Sequence, residues 1–336
     1  RVECAALIAY LHIWSLGAGD ARRQTARVPG AEPSTRVTTV TNPPASIADD
    51  RSAANAASPG AGAALPGGAD GAAGKAAFVR AMFARIVPRY DLVNRLMTMG
   101  LDRRWRRETA AIARPSGAVA LDIATGTGDL ALELARQGAR RVVGADFCAD
   151  MLTAAVAKAA RAGCAGSRSL GHRGSSIDFV AGDTTRLPFG DNTFDCIVNG
   201  FMLRNVTDLS AAFSELGRVL KPGGRLACLD LTPPRGPLHG LFGFYIGRIV
   251  PLLGGVVSGH YFAYRWLGQS LRPHPDADSM AAIMRAAGLG EVGYRLIGFG
   301  TVAIHYGIKP GASERVGRGE HNERDMRVES DGPGAA

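Results

Sequence analysis

The stretch Val119-Ala-Leu-Asp-Ile-Ala-Thr-Gly-Thr-Gly-Asp-Leu-Ala131 decides the fold. Its first five residues predict a buried strand, its two glycines predict a tight turn, and the residues after the turn begin a helix. A second predicted strand, residues 141–145, is followed by Asp146, an acid that lies twenty residues after Gly126. A strand, a glycine-rich turn and a helix, with an acid at the end of the next strand, indicate a site for a nucleotide-type cofactor.

The charges at the turn distinguish between cofactors. The segment Gly126-x-Gly128-x-x-Ala131 also satisfies the dinucleotide fingerprint, in which a pyrophosphate lies on the backbone N–H groups that open the helix. Asp122 and Asp129 would place two carboxylates beside that pyrophosphate, and like charges at roughly 4 Å repel by several kcal/mol at an effective dielectric constant of about 20. The same carboxylates suit the ammonium and sulfonium groups of S-adenosylmethionine. We therefore expect S-adenosylmethionine as the cofactor, with a nicotinamide dinucleotide as the first rival.

The composition limits the partners that the chain can have. Its 336 residues are 46% hydrophobic, which suffices for one substantial core. The net charge is +9, but aromatic residues are not interleaved with the basic ones, so we predict no nucleic-acid partner. The five cysteines form no C-x-x-C pair, and we expect a reducing compartment, no disulfide framework and no metal. No run of about twenty uninterrupted apolar residues occurs, which predicts no membrane-spanning helix.

The chain divides into three parts. Residues 1–75 are rich in Ala, Gly, Pro, Ser and Thr, which predicts a disordered, targeting or upstream segment. Residues 76–310 carry the periodic patterns of a folded domain. Residues 311–336 are polar and predict a disordered tail.

Within the domain, residues 76–115 predict a helical cap, in which the first helix ends at Pro88. From residue 116 onward strands and helices alternate, which predicts a largely parallel sheet covered by helices on both faces and interrupted by a lid insertion at 236–275. The predicted strands are 119–123, 141–145, 177–181, 194–199, 225–230, 291–296 and 301–308, and the helices between them are 129–137, 151–162, 208–219 and 279–287. A Gly/Ser/Arg-rich loop at 163–176 separates a helix from the third strand.

The candidate cofactor residues lie at the ends of the predicted strands, where ligands bind in open parallel sheets. Asp146 can accept hydrogen bonds from ribose hydroxyls, and a helix-capping role is the alternative. Asp183 and Thr184 follow the third strand and can hydrogen-bond to an adenine amine. The alternative is that Asp183 belongs to an exposed turn. Thr127 offers a hydroxyl to the methionine end, and Gly200 would let the backbone approach the cofactor closely.

An Arg-Asn pair follows the fourth predicted strand. Arg204 and Asn205 come after the apolar residues Phe201-Met-Leu203, so we expect their side chains to lie inside the cleft. The alternative interpretation is that Arg204 pairs with a carboxylate and Asn205 caps the helix that begins near Asp208.

Several motifs together resemble the ubiquinone/menaquinone biosynthesis C-methyltransferases. They are Phe83-x-x-Ile86-x-x-x-Tyr90-Asp-x-x-Asn94, Trp105-Arg, Asp122-x-Ala-x-Gly-Thr-Gly-Asp129, Leu187-Pro-Phe-x-Asp-Asn-x-Phe-Asp195, Leu203-Arg-Asn205 and Arg218-Val-Leu-Lys-Pro-Gly-Gly224. The resemblance is continuous from about residue 78 to 309, and Met202 departs from it where a glycine is expected. It implies a class I S-adenosylmethionine-dependent methyltransferase, that is, a Rossmann-like, mostly parallel seven-stranded sheet with an N-terminal helical cap.

The resemblance also implies a reaction and a set of site residues. The reaction is methylation of a ring carbon of a reduced, prenylated quinone. We expect demethylmenaquinol as the acceptor, with 2-polyprenyl-1,4-benzoquinol as the alternative and a small-molecule O-methyltransferase or a noncatalytic binding module as further rivals. The residues expected to bind the cofactor are Asp122, Gly126, Thr127, Gly128, Asp146, Asp183, Thr184 and Gly200. Arg204 and Asn205 are the expected catalytic residues, which orient a water or the quinol oxygen. The expected substrate neighbours are Tyr90, Asn94, Trp105 and Tyr264, for which ordinary core packing is the alternative.

A prenylated substrate bears on where the protein acts. The cluster Arg103-Arg-Trp-Arg-Arg107 is expected to rest on anionic lipid headgroups. We therefore expect a cytoplasmic protein that is peripheral on the inner face of the membrane, or an organellar one if residues 1–75 are a transit segment. Association into a homo-oligomer is left open.

Overall fold

Seven strands form one sheet in the computed structural model, which describes residues 71–164, 176–236 and 238–311. They are β1 (Val119–Ile123), β2 (Arg141–Asp146), β3 (Ser176–Ala181), β4 (Phe194–Gly200), β5 (Leu220–Leu231), β6 (Gly290–Ile297) and β7 (Val302–Ile308). Their spatial order is β3-β2-β1-β4-β5-β7-β6, in which β1 to β5 are parallel and β7 is antiparallel to both of its neighbours. The predictions for residues 1–70, 165–175 and 312–336 lie outside the described residues.

Helices precede the sheet and connect its strands. They are α1 (Gly71–Met97), α2 (Leu101–Ala113), α3 (Asp129–Arg136), α4 (Ala149–Arg161), α5 (Leu209–Val219), α6 (Leu238–Phe244), α7 (Val250–Ser258), α8 (Tyr261–Leu271) and α9 (Ala277–Ala286). Short 3-10 turns cover Leu203–Asn205 and Gly298–Gly300.

One long helix crosses the part of the chain that was predicted as a lid insertion. A π-helical segment, Tyr245–Ile249, joins α6 to α7, and we call the continuous helix Leu238–Ser258 the lid helix. By length and composition it could cross a membrane, contrary to the expectation of no such helix. The expectation failed because Arg248 and several glycines interrupt the apolar run without interrupting the helix.

The sheet buries side chains on both faces because successive residues of a strand point to opposite sides. Leu121 and Ile197 belong to a core cluster shared with α5 and α9. Ala120 and Val198, their neighbours in β1 and β4, belong to a second cluster shared with α3. Burying one large apolar side chain contributes roughly 1.5–3 kcal/mol, so the central strands anchor the ends at which the candidate site lies.

The prediction that the first cap helix ends at Pro88 is wrong, since α1 continues to Met97. Ile86 and Val93 are buried on either side of the proline, and their packing offsets the hydrogen bond that Pro88 cannot donate. The chain reverses later, through Met99 and Gly100, whose φ angles are 51° and 78°.

Candidate active site

The turn between β1 and α3 borders open space. Ala124, Gly126 and Gly128 have φ angles of 54°, 56° and 84°, a conformation that costs glycine little. A Cβ atom at Gly126 would meet no atom within 4 Å, whereas one at Gly128 would lie 3.2 Å from the Cβ of Ala155. The N-cap residue of α3 is Gly128, which has no side chain to accept an N–H of the first helical turn, and within that turn the N–H of Ala131 lowers the pKa of Asp122.

Hydrogen bonds to the side chain of Asp146 link this turn to the end of β2. Its Oδ2 accepts the N–H of Gly126 at 2.8 Å, and its Oδ1 accepts the N–H of Cys148 at 2.9 Å. Burial raises the pKa of Asp146, while these two backbone donors act in the opposite direction. The carboxylate thus supports the turn at the place predicted for a ribose, and the ribose contact itself stays a prediction.

Asp122 is almost completely buried at the end of β1. Its Oδ2 accepts a hydrogen bond from Thr125 Oγ1 at 2.6 Å, but its Oδ1 has no hydrogen-bond partner among the described residues. Burial raises the pKa of Asp122 to about 7. A buried oxygen without a partner beside an open turn suits a ligand that brings a donor or a positive charge.

Asp129 lies at the turn as expected, but its charge is compensated within the protein. Lys158 Nζ lies 2.7 Å from Asp129 Oδ1, 2.9 Å from Thr127 Oγ1 and 2.5 Å from Asp91 Oδ2. Burial opposes ionisation of Asp129, but the charges of Arg106 and Lys158 outweigh it and hold the pKa of this carboxyl below its usual value. Asp129 is therefore ion-paired, and Asp122 is partly protonated at neutral pH. The two carboxylates repel a pyrophosphate less strongly than the sequence indicated.

The remaining predicted cofactor residues lie at the same edge of the sheet. The N–H of Gly182 donates to Asp146 O at 3.0 Å, which places the residues after β3 beside the end of β2. Asp183 is exposed, and its Oδ1 accepts the N–H of Thr185 at 2.8 Å, so the alternative of an exposed turn describes its geometry. Thr184 Oγ1 contacts the sulfur of Met202 at 3.4 Å. A Cβ atom at Gly200 would meet only Leu130, at 3.8 Å, so space does not require glycine there.

A cavity lies between the helical cap, the lid helix and the ends of β4 and β5. Tyr90, Asn94 and Trp105 line it from the cap, and their contact with a substrate stays a prediction. Tyr264 does not line it. Its buried ring packs against Gly254, where a Cβ atom would lie 2.1 Å from the ring, so this tyrosine holds α8 against α7.

Arg204 lines the cavity and forms a buried ion pair. Its Nη1 lies 2.8 Å from Oδ1 of Asp230, and the two side chains are only 10% and 3% exposed. Asp230 also accepts the N–H of Leu231 at 2.8 Å. The alternative that Arg204 pairs with a carboxylate is therefore correct, and the pair fixes the guanidinium 5.7 Å from the ring centre of Phe201.

Asn205 is held by a different contact. Its Oδ1 accepts a hydrogen bond from Trp266 Nε1 at 3.2 Å. The alternative that Asn205 caps the next helix is wrong, because Asp208 does so by accepting the N–H of Ala211 at 2.9 Å. Asn205 is not among the cavity-lining residues, and its catalytic role stays a prediction.

Arg106 is the second arginine in the cavity, although the sequence suggested it only as part of the 103–107 cluster for lipid headgroups. It pairs with Asp102 one helical turn earlier, and its guanidinium lies 5.8 Å from the ring centre of Phe201. Burial raises the pKa of Tyr90, while the charges of Arg106 and Arg204 act against this shift. The cavity therefore combines two paired guanidinium groups with a tyrosine hydroxyl that stays protonated. The Trp105-Arg motif was the available signal.

Fold and site together define a class of enzyme. A sheet of this order, with a glycine turn after β1, a buried acid at the end of β2 and a cavity at the carboxyl ends of the central strands, is that of a class I S-adenosylmethionine-dependent methyltransferase.

Comparison with known proteins identifies the family. The chain belongs to the ubiE/COQ5 methyltransferase family, whose model matches residues 72–309. A demethylmenaquinone methyltransferase from Roseiflexus castenholzii is 48% identical over 241 residues, which cover 70% of this chain and 95% of that protein. One from Thermus thermophilus is 44% identical and covers 68% of this chain and 100% of that protein. A ubiquinone/menaquinone biosynthesis C-methyltransferase from Desulfotalea psychrophila is 42% identical, and the match covers 69% of this chain and 90% of that protein.

Proposed function

We propose that this enzyme methylates a ring carbon of a reduced, prenylated quinone, with demethylmenaquinol as the acceptor. The observation that carries the proposal is a cavity with apolar walls that holds two fixed guanidinium groups, one of which, Arg106, is close enough to the glycine turn for its charge to act on Asp122 and Asp129. The names of the relatives from Roseiflexus and Thermus support demethylmenaquinol. The name of the relative from Desulfotalea keeps 2-polyprenyl-1,4-benzoquinol as the alternative.

The turn has the features that S-adenosylmethionine needs. Open space lies at Gly126, and the unpartnered oxygen of Asp122 is buried beside it. When bound, this cofactor supplies an electrophilic methyl group on a positively charged sulfur. The residues proposed to hold it are Asp122, Gly126, Thr127, Gly128, Asp146, Asp183, Thr184 and Gly200.

The two arginines favour the reactive form of the acceptor. A hydroquinone carbon becomes nucleophilic when the neighbouring hydroxyl loses its proton, because the negative charge then spreads onto that carbon. Arginine remains protonated and cannot accept the proton itself. The proton passes to solvent water. Arg204 orients a water or the quinol oxygen and stabilises the phenolate, since Asp230 holds the guanidinium in place before the charge develops.

The lid helix excludes water from this reaction. Its inner side chains Phe242, Ile246 and Val250 form an apolar wall of the cavity. Water exclusion strengthens the interaction between the guanidinium groups and a phenolate. Holding the acceptor carbon in line with the methyl group can contribute about 7–11 kcal/mol at best.

Two measurements test the proposal. Purified protein is given labelled S-adenosylmethionine and, in parallel, reduced demethylmenaquinone and reduced 2-polyprenyl-1,4-benzoquinone. We expect the label on a ring carbon of the naphthoquinol product. Calorimetric titration with S-adenosylhomocysteine and with NADH tests the cofactor separately. Binding of NADH without binding of S-adenosylhomocysteine would contradict the proposal.

A lipid-soluble acceptor also supports a location for the enzyme. We propose that it works from the cytoplasmic side as a peripheral protein on the inner face of the membrane. Fractionation of cells before and after a high-salt wash tests this location, and recovery of all the protein in the soluble fraction at low salt would contradict it.

A further inference from the structure

The lid helix has two different apolar faces. Its inner face lines the active-site cavity, as described above. Its outer face carries Phe244, Arg248, Leu252 and Val256 at intervals of four residues, which places them in one row. Leu252 is 60% exposed and Val256 is 78% exposed. An exposed apolar row on a helix that closes an active site needs a partner.

Neighbouring helices extend this exposed surface. Helix α7 packs against α1 on one side and α8 on the other. Large apolar side chains are also exposed on both flanking helices, at Leu92 and Leu96 near the end of α1 and at Tyr261 and Phe262 at the start of α8, and at Met99 just after α1. The exposed row on the lid helix thus lies between two helices that also expose apolar side chains.

A basic groove lies between the lid helix and α8. It has a volume of about 860 Å³, and Arg248, Arg265 and Arg272 line it together with His239 and Tyr261. None of the lining residues is acidic. The chain contains no Asp or Glu at all from residue 231 to 275, so this charge is uniformly positive. Arginine binds phosphate groups through two parallel hydrogen bonds.

The groove and the active-site cavity share a wall formed by two side chains. Phe242 and Ile246 line both the groove and the active-site cavity. By contrast, the arginine cluster at 103–107, which the sequence suggested for lipid headgroups, is partly used inside the protein. Arg104 pairs with Glu108, and Arg106 is buried against Asp102.

We propose that the groove and the outer face of the lid helix form a docking surface for an anionic phospholipid bilayer. Arg248, Arg265 and Arg272 bind headgroup phosphates, while Leu252 and Val256 enter the outer part of the acyl-chain layer. This inference rests on the proposed function in one respect, which is that a prenylated acceptor reaches the cavity from the bilayer past Phe242 and Ile246.

The test compares two double variants with the same change of charge. In Arg265→Gln/Arg272→Gln the groove loses two charges, and in the control Arg103→Gln/Arg107→Gln two exposed arginines outside the groove are lost. The full chain is sedimented with phosphatidylcholine vesicles that do or do not contain phosphatidylglycerol. We expect salt-sensitive binding to the anionic vesicles that falls about tenfold or more in the groove variant and less than about twofold in the control.

A third variant tests the apolar part of the surface. Leu252→Ser/Val256→Ser should weaken binding to both kinds of vesicle, since insertion of apolar side chains does not depend on lipid charge. Equal losses in the groove variant and the control would overturn the proposal. Vesicle binding that survives all the substitutions while inorganic phosphate binds the groove would identify a phosphate site and also overturn it.

Activity measurements separate this inference from the proposed function. With a short-chain, water-soluble quinol, the groove variant should turn over as the wild type does, because its active site is intact. With a long-chain quinol in anionic vesicles, its turnover should fall in proportion to binding. If no quinol is methylated by any variant, the proposed function fails while the vesicle result still decides the docking surface.

Discussion

The glycine turn after β1 and the cavity under the lid helix lie at the same edge of the sheet but are built in different ways. The turn comes from one continuous segment, residues 122–129, and its shape is set mainly by the backbone conformation of that segment. The cavity draws on the cap, on the ends of β4 and β5 and on the lid helix, which lie far apart in sequence. Its chemistry therefore depends on side chains that meet only in the folded protein.

The charged side chains of the two sites are also paired in different ways. At the turn, Lys158 is shared among Asp129, Asp91 and Thr127. In the cavity each arginine has its own buried carboxylate. Shared, partly exposed charges can rearrange around a ligand, whereas a separately paired guanidinium stays in place. This difference predicts that substitutions in the cavity lower stability and turnover more than substitutions at the turn do.

The largest loss of stability is expected for Asp230→Ala, because this substitution leaves Arg204 buried without its partner. Loss of one member of a buried ion pair costs about 3–5 kcal/mol. Urea denaturation at neutral pH measures this change. The control is Asp178→Asn, whose partner Arg141 is 56% exposed and whose loss should cost less than about 1 kcal/mol. Equal losses in the two variants would show that burial of the Arg204–Asp230 pair does not raise the cost of removing its carboxylate.

Arg204→Lys is expected to affect the chemistry more than the binding of cofactor. Lysine keeps the charge but cannot reproduce the planar fork that Asp230 holds over Phe201. Turnover should fall about 100-fold, as for the loss of a positioned donor to a developing oxyanion. Affinity for S-adenosylhomocysteine, measured by calorimetry, should stay within about twofold of the wild type. Wild-type turnover in this variant would refute the role of Arg204.

The sequence predicts the turn better than the cavity for the same structural reason. Strands buried on both faces give continuous apolar runs, and the predicted strand 194–199 differs from Phe194–Gly200 by a single residue. Asp230 lies 26 residues beyond Arg204 on another strand, so no local pattern indicates their pairing. The loss of Tyr264 from the predicted pocket has a similar cause, since only the packing of α7 against α8 decides where that ring points.

Asp122→Asn tests the turn through the pH dependence of stability. The folded protein raises the pKa of Asp122 from 3.8 to about 7, so it binds this proton more tightly than the unfolded chain does. Stability is therefore greatest below the unfolded pKa and falls as pH rises toward the folded one. The wild type should lose about 2 kcal/mol more than the variant between about pH 5 and about pH 8. Parallel stability curves for the two proteins would show that Asp122 is ionised throughout.

The smallest effect is expected for Lys158→Met, which removes the charge shared at the turn. Lys158 is partly exposed, so its loss should destabilise the protein by only about 1 kcal/mol. The informative measurement is the ratio of the affinities for S-adenosylmethionine and S-adenosylhomocysteine, which differ in one positive charge.

Without Lys158, Asp91 and Asp129 lose one ion pair each, and although the charge of Arg106 still acts on Asp129, both carboxylates become more attractive to the charged cofactor. The affinity ratio should therefore shift toward S-adenosylmethionine in Lys158→Met. Lys221→Met is the matched control, because Lys221 forms a comparable ion pair with Asp195 away from the turn, and it should leave the ratio unchanged. A ratio that does not move in Lys158→Met would mean that the carboxylates at the turn do not sense the charge on sulfur. The choice of cofactor would then depend on the shape of the turn rather than on its charge.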